Sequence, residues 1–432
     1  MGGDTALRCD GGSDRAGVKH RRLVMMVAVA IQMSMFAAAA WATRGHWQYS
    51  DNWAYERPAW TLSQGHGLSI ERAEWDDPYL SGLYFARHPE ADRAYLPATV
   101  FPPGYSIFLA GVYTLFGRSE LAAVVGNGLL LGVCTWMAAV VMRRALGEGR
   151  AWLLGLTLLA LWPFSAYWAA KMTSDTLHAA LMLAFVLVLF CDRPKAWNAL
   201  LAGALLGAAT LVRGYTLFML PALLLLWCVW RHPSIAPRRL IIAGLVFAAI
   251  LGSWTARNYH HFGKPIVLSS IGPGIGLWIA SYDYIEGRVP DDDRMWEDWA
   301  RVGAKDPYRH DDHQRLMTAV LERIRQHPAA WAATSARRLV RLWLPGTDVA
   351  SGPLRWVLWG GLCALLFLTI RGIGLAWRSP NAALLGAVAI VTYYSLVFVP
   401  MNVEGRYLLP ARPFSFLLAA SAITPWLPRR AP

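Results

Sequence analysis

The chain has 432 residues, of which 56% are hydrophobic and only 16% charged, a balance that a soluble globular protein of this size would find hard to keep in solution. Its formal net charge of +13 admits nucleic-acid binding in principle, but the excess lies in loops beside apolar runs, as orientation in a membrane requires, so no nucleic-acid partner is expected. The five cysteines (Cys9, Cys134, Cys191, Cys228 and Cys363) show no paired spacing, which argues against a disulfide framework or a thiolate metal site.

In chain order, a basic N-terminal tail over 1–21 precedes a first apolar run, Arg22 to Thr43, too long for a signal peptide and followed by many more. Further predicted spans run Leu121 to Met142, Ala151 to Trp168, Met172 to Phe190, Ala196 to Val212, Tyr215 to Trp230, Leu240 to Trp254, Trp356 to Ile370, Ala382 to Pro400 and Pro413 to Leu427. A hydrocarbon layer of about 30 Å requires about 20 helical residues, so the expected fold is an all-α polytopic membrane protein with about ten transmembrane helices. The apolar stretch Phe101 to Phe116 is read as a juxtamembrane or half-inserted helix, because counting it as a span would move Arg143, Arg144 and Arg150 to the wrong face.

Lysines and arginines in the short loops then share one face. They are Lys19, Arg21 and Arg22; Arg143, Arg144 and Arg150; Arg193 and Lys195; Arg231, Arg238 and Arg239; Arg371 and Arg378; Arg429 and Arg430. That face is the cytoplasm by the positive-inside rule, with both termini on it. Two long hydrophilic segments, 44–98 and 257–354, fall outside, the second with amphipathic helices marked by Leu316, Val320, Ile324, Leu339 and Leu342. The expected organisation is a tail (1–21), an N-terminal transmembrane catalytic module (22–256) with its outer loop (44–120), an outer loop (257–354) and C-terminal spans (355–432).

The residues with chemistry converge on the outer face. Asp51 opens a short helix whose Tyr55, Ala59 and Leu62 share a side; as Asp it is either a helix cap or a functional acid. Asp175, at the tip of the tight hairpin Lys171-Met-Thr-Ser174-Asp175, is a carboxylate close to hydrocarbon, which is costly unless it caps, pairs with Lys171 or does chemistry. Arg213 interrupts an apolar stretch with no sequence-local acid, Arg257 leaves the seventh span and Arg406 precedes the last. Three isolated arginines opposing the charge rule suit a phosphate better than anchoring alone. His260 and His261 raise a metal site, but neighbours on a helix face apart and no further ligand has the required spacing, so no metal is expected.

The ordered set Asp51 with Tyr55, Ala59 and Gly65; Pro102-Pro103-Gly104-Tyr105 with Phe116-Gly117; Ser174-Asp175; Arg213; Trp254 with Arg257-Asn258-Tyr259 and Phe262-Gly263; and Arg406-Tyr407 with Pro410 resembles the GT-C class of membrane glycosyltransferases, in the branch of protein O-mannosyltransferases and lipid A aminoarabinose transferases. The resemblance spans most of the chain. It implies an essential acid at Asp51, with Asn52 where many members carry a second acid, and transfer with inversion. It implies a polyprenyl-phosphate-linked sugar donor and a lipid, glycan or protein acceptor. No cofactor is expected, the metal requirement staying open, and the charge distribution puts the active site on the outer face, the periplasmic side of a bacterial inner membrane. The Gly-rich stretch around Gly272, Gly274 and Gly276 departs from the family pattern and takes no catalytic part, and Asp291 to Asp293 reads as a solvated loop rather than a nucleotide-sugar site.

On this reading Asp51 and Asp175 are the catalytic candidates. Lys171, Arg213, Arg257 and Arg406 bind the donor phosphate, and Tyr55, Tyr105, Tyr259 and Tyr407 line the substrate. The principal alternative is a transporter or flippase for lipid-linked glycans, which also needs many helices and outer arginines; against it, no inverted repeat is evident and the two long outer segments have no purpose.

Overall fold

The computed structural model describes residues 11–48, 52–191, 195–270, 274–281, 297, 299–304, 309–344, 353–378, 381–401 and 403–424. Asp51, Gly272, Asp291 to Asp293, Arg193, Arg429 and Arg430, singled out above, lie outside the described residues, as does the end of the last expected span.

The polypeptide is a multi-pass helical membrane protein. The first helix, α1 (Gly11–Ala42), begins upstream of Arg22. Next come α2 (Trp53–Ser63), a two-stranded antiparallel ribbon of β1 (Ser69–Glu71) and β2 (Tyr95–Pro97) with Ile70 opposite Leu96, and between these strands α3 (Pro78–Arg87). Helices α4 (Gly104–Phe116), α5 (Glu120–Leu146), α6 (Arg150–Ala160), α7 (Pro163–Ala169) and α8 (Asp175–Val186, continued by a π-turn to Cys191) follow. Then come α9 (Ala196–Val212), α10 (Met219–Trp230), α11 (Pro237–Phe262) and the short α12 (Gly274–Ala280). The chain continues with α13 (His310–Gln326), α14 (Pro328–Trp343), α15 (Pro353–Arg378), α16 (Ala382–Val397) and α17 (Arg412–Ile423).

Each expected span coincides with one of these helices or with the pair α6–α7. Four are long and apolar enough to cross a bilayer unaided: Val18–Ala42, Glu120–Leu146, Pro233–Phe262 and Trp356–Arg378. The expected span Ala151 to Trp168 is a broken one, with α6 and α7 bent by 43° where Pro163 removes a backbone donor. The side chain of Gln32, fully buried in α1, repairs that break: its Nε2 donates to the carbonyls of Leu159 (2.6 Å), Ala160 (3.0 Å) and Trp162 (3.1 Å). Backbone polar groups have no water to turn to at membrane depth, so the break needs such a partner.

Packing among the helices relies on small residues. A side chain at Gly203 of α9 would overlap the Ala243 carbonyl of α11, and this close approach lets the two helices lie against one another. Outward-facing Leu225, Leu245 and Phe367 are 71%, 68% and 63% exposed, as lipid-facing side chains must be in the isolated chain. The first long hydrophilic segment is folded rather than loose. Asp77 caps α3, its Oδ1 accepting from Tyr79 N (2.9 Å) and Leu80 N (3.3 Å), and its Oδ2 accepts from His310 N (3.2 Å) at the start of α13. The two long hydrophilic segments are thereby joined. In α13, Leu316 and Val320 are buried against Trp278 and Trp299, so its apolar stripe faces a small protein core of its own.

Candidate functional site

The turn between α7 and α8 is held from three sides. Met172 N donates to the Trp47 carbonyl (3.0 Å), and Asn127 in α5 donates through Nδ2 to Lys171 O (2.9 Å), Thr173 O (3.4 Å) and Tyr105 Oη (3.1 Å). Tyr55 lies across the tip, its hydroxyl 3.5 Å from Ser174 Oγ, its ring stacked on Phe101 (5.0 Å) and edge-on to Tyr105 (5.3 Å). The Pro102-Pro103-Gly104 entry permits this. At Gly104 a Cβ would sit 2.6 Å from Val212 Cγ2 and 2.8 Å from the Leu211 carbonyl, so only glycine lets α4 meet the end of α9.

Thus positioned, Asp175 is 3% exposed and meets two guanidinium groups through one oxygen, Oδ2: Arg213 Nη2 at 2.9 Å and Arg406 Nη1 at 3.7 Å. Arg406 Nε also pairs with Glu404 Oε2 (2.7 Å), and the Arg406 guanidinium lies 5.3 Å over Trp168 and 5.5 Å over Tyr407. Arg213 lies 5.6 Å over Tyr215, which sits 5.6 Å from Tyr407. The ion pairs missing from the local sequence of Arg213 are therefore long-range ones. Beneath the cluster, one turn along α8, His178 is buried between two partners: Nδ1–H donates to the Ala209 carbonyl (3.1 Å), leaving Nε2 to accept from Tyr394 Oη (2.5 Å). A cavity beside Asp175 is lined by polar Gln32, Ser165 and Thr176 and by apolar Leu131, Leu159 and Leu183.

The sequence candidates thus divide. Asp175, Arg213, Arg406, Tyr55, Tyr105 and Tyr407 come together. Lys171 is adjacent but turned to the His46 carbonyl, with its ammonium 5.6 Å over Tyr167, and is not the partner of Asp175; burial holds its pKa below the ordinary lysine value. Arg257 is engaged elsewhere, donating to Ala98 O (3.0 Å), Leu68 O (2.8 Å) and Asn258 Oδ1 (2.8 Å), and so fastens α11 to the β-ribbon segment. Tyr259 is 55% exposed near Arg87. Among the described residues, no hydrogen bond or ion pair joins Arg257 or Tyr259 to Asp175, Arg213 or Arg406. Asn127, Glu404, His178 and Tyr394 were not singled out from sequence. The one signal for Asn127 and His178 is a polar residue inside an apolar run.

Residues 100–255, which hold this hairpin, Arg213 and most of α11, match the model of the dolichyl-phosphate-mannose-protein mannosyltransferase family. Over 94% of its length the chain superposes on the archaeal oligosaccharyltransferase AglB of Archaeoglobus fulgidus, in complex with an inhibitory peptide and a dolichol-phosphate, at 12% identity with a TM-score of 0.53, covering 50% of that protein. A second Archaeoglobus fulgidus oligosaccharyltransferase structure, tethered to an acceptor peptide, gives 13% identity and a TM-score of 0.54 over 94% of this chain and 49% of that one. The chain has the GT-C fold.

It spans about half the length of those two oligosaccharyltransferases. ArnT from Cupriavidus metallidurans, bound to undecaprenyl phosphate, is 14% identical over 94% of this chain and 78% of its own, with a TM-score of 0.40. No curated protein sequence matches the chain. Within the GT-C fold seen here, the Asp175–Arg213–Arg406 cluster joins three segments far apart in sequence: the start of α8, the end of α9 and the turn before α17.

Proposed function

We propose that this chain transfers a sugar from a polyprenyl-phosphate-linked donor to a lipid, glycan or protein acceptor at the periplasmic face of a bacterial inner membrane, with inversion at the anomeric carbon. The observation that carries the reading is the buried Asp175 carboxylate holding Arg213 and Arg406 together beside a partly apolar cavity. A polyprenyl phosphate leaves as an anion, and fixed guanidinium groups in a partly dry setting stabilise the charge that develops on it. The GT-C fold, the mannosyltransferase family match and the dolichol-phosphate bound to AglB all support a lipid-linked donor.

In the proposed step, the acceptor oxygen or nitrogen forms a bond to the anomeric carbon as the bond from that carbon to the phosphate oxygen breaks. The electron pair leaves on the polyprenyl phosphate, and the acceptor proton passes to a carboxylate. Asp51 is the proposed base. Asp175 Oδ2 is already directed at two guanidiniums, which suits it to positioning them rather than to accepting the acceptor's proton. Arg213 and Arg406 are the proposed donor-phosphate ligands, with Lys171 at the margin, and Tyr55, Tyr105 and Tyr407, packed about Ser174 and Arg406, are the proposed substrate contacts. Arg257 and Tyr259 take no direct part in this reading, because Arg257 is occupied by backbone carbonyls.

The test is sugar transfer from radiolabelled polyprenyl-phosphate sugars by the purified full-length chain and by Asp51→Asn, with melting temperature as the folding control. General-base catalysis is worth about 10²–10⁴-fold, so a folded Asp51→Asn should retain about 1% of the rate or less. Equal transfer by both proteins would move the base away from Asp51, and no transfer from any lipid-linked sugar would favour the flippase alternative.

A further inference from the structure

The last turn of α11 reads His260-His261-Phe262-Gly263 and stops at Gly263, whose φ of +66° closes the helix. Two histidines adjacent on a helix are about 100° apart around its axis and do not by themselves enclose an ion. The end of α3 supplies what the local sequence lacks. His88, 172 residues from His260 along the chain, follows the last residue of α3 and brings its ring against both, with centroids 5.0 Å from His260 and 5.7 Å from His261, while those two are 5.4 Å apart. The metal-ligating nitrogens of all three lie within 4.8 Å of one another.

We propose that His88, His260 and His261 form a binding site for a zinc-class divalent cation that fastens the first long hydrophilic segment to the end of α11.

Three features favour this class of ion. The donor set is entirely imidazole, which suits zinc and its late first-row neighbours and not calcium or magnesium, whose ligands are oxygens. Tetrahedral ligands at zinc–nitrogen distances of about 2.0–2.1 Å lie about 3.4 Å apart, so small side-chain rotations bring these nitrogens into range. His260 is exposed while His88 and His261 are half-buried, giving an ion a path in and leaving a fourth position for water. The Arg87 guanidinium, which donates to the His260 carbonyl at 3.3 Å, puts a like charge beside the ion. Binding is therefore expected to be far weaker than at a closed thiolate site. The competing role for His88 is a plain cap, its Nε2 lying 3.3 Å from the His260 carbonyl, and that role predicts no affinity for metal.

A structural fastening is the natural function of such a site, because the same two elements are already joined by Arg257 through Ala98 and Leu68. The site does not depend on the proposed transfer reaction, and its test reads metal, not sugar. Full-length protein in detergent, purified without a polyhistidine tag and dialysed against EDTA, is titrated with zinc sulfate and, separately, with cobalt(II) chloride. About one zinc per chain, a raised melting temperature and a visible cobalt band of four-coordinate intensity are the expected results. His88→Ala and His261→Asn should each lose the band and the thermal shift while melting like zinc-free wild type; should His88→Ala fail to fold, His261→Asn decides. Failure of the wild type to retain zinc, or retention equal to wild type in the folded variant, overturns the proposal. Loss of sugar transfer with zinc binding intact would count against the proposed reaction and leave this site standing.

Discussion

Asp175 joins two cations through a single oxygen in a setting where its side chain and that of Arg406 are each 4% exposed. Taking away one member of a buried ion pair typically costs about 3–5 kcal/mol, because the partner is left charged and dry. For Asp175→Asn the loss falls mainly on Arg213, since Arg406 retains Glu404. Thermal unfolding in detergent should show a marked fall in melting temperature for Asp175→Asn, and a smaller one for Glu404→Gln, whose side chain is 18% exposed. Equal melting of Asp175→Asn and wild type would mean that the cluster contributes nothing to the fold. At this scale the sequence was half informative. A carboxylate on a hairpin tip and arginines at the ends of apolar runs stand out by their desolvation cost. Which of them meet does not, because Arg213 and Asp175 lie 38 residues apart and the nearest charged neighbour, Lys171, bonds to a carbonyl instead.

The helices between those residues were legible through their apolar runs, and their irregularities less so. Pro163 was visible in the run 151–168, yet a length count treats the run as one span, while the structure bends it by 43°. The stretch 101–116, kept out of the expected spans by the charge count, holds the 13-residue α4. The amphipathic pattern of α13 foretold its buried stripe but not a consequence of that burial. His313 is held down to about 4 from 6.5 by desolvation and by the nearby His310. The folded form therefore favours the neutral imidazole. Its contribution to stability is fully present above pH 6.5 and is lost as the pH falls from there toward 4. Hydrogen exchange of α13 amides, corrected for the intrinsic pH dependence, should show protection declining over that window, and His313→Gln should flatten the decline; a decline unchanged in His313→Gln would assign it to another group.

At the scale of the whole molecule, the distribution of lysine and arginine sets the expected orientation. It places Glu90, in the exposed turn before β2, on the periplasmic side and Glu148, paired with Arg21 (2.5 Å) and Arg143 (3.5 Å), in the cytoplasm. In a cysteine-free background, Glu90→Cys should react with a membrane-impermeant maleimide in intact cells, and Glu148→Cys only after permeabilisation. The opposite pattern would invert the protein and put the Asp175 cluster on the cytoplasmic face. The tertiary arrangement was the least legible layer. Asp77 meeting His310, or Arg257 meeting Leu68 and Ala98, joins segments that no local pattern connects.

The bond from Gln32 to the carbonyls at the α6–α7 break also bears on the order in which the molecule is built. Synthesis runs from the N-terminus, so α1 is in the bilayer with its amide waiting before the proline-broken segment leaves the ribosome. The broken segment is delivered to a partner already in place. A chain shorn of α1, or circularly permuted to make it last, would have to carry those carbonyls through hydrocarbon without the Gln32 amide while every later helix assembled around them.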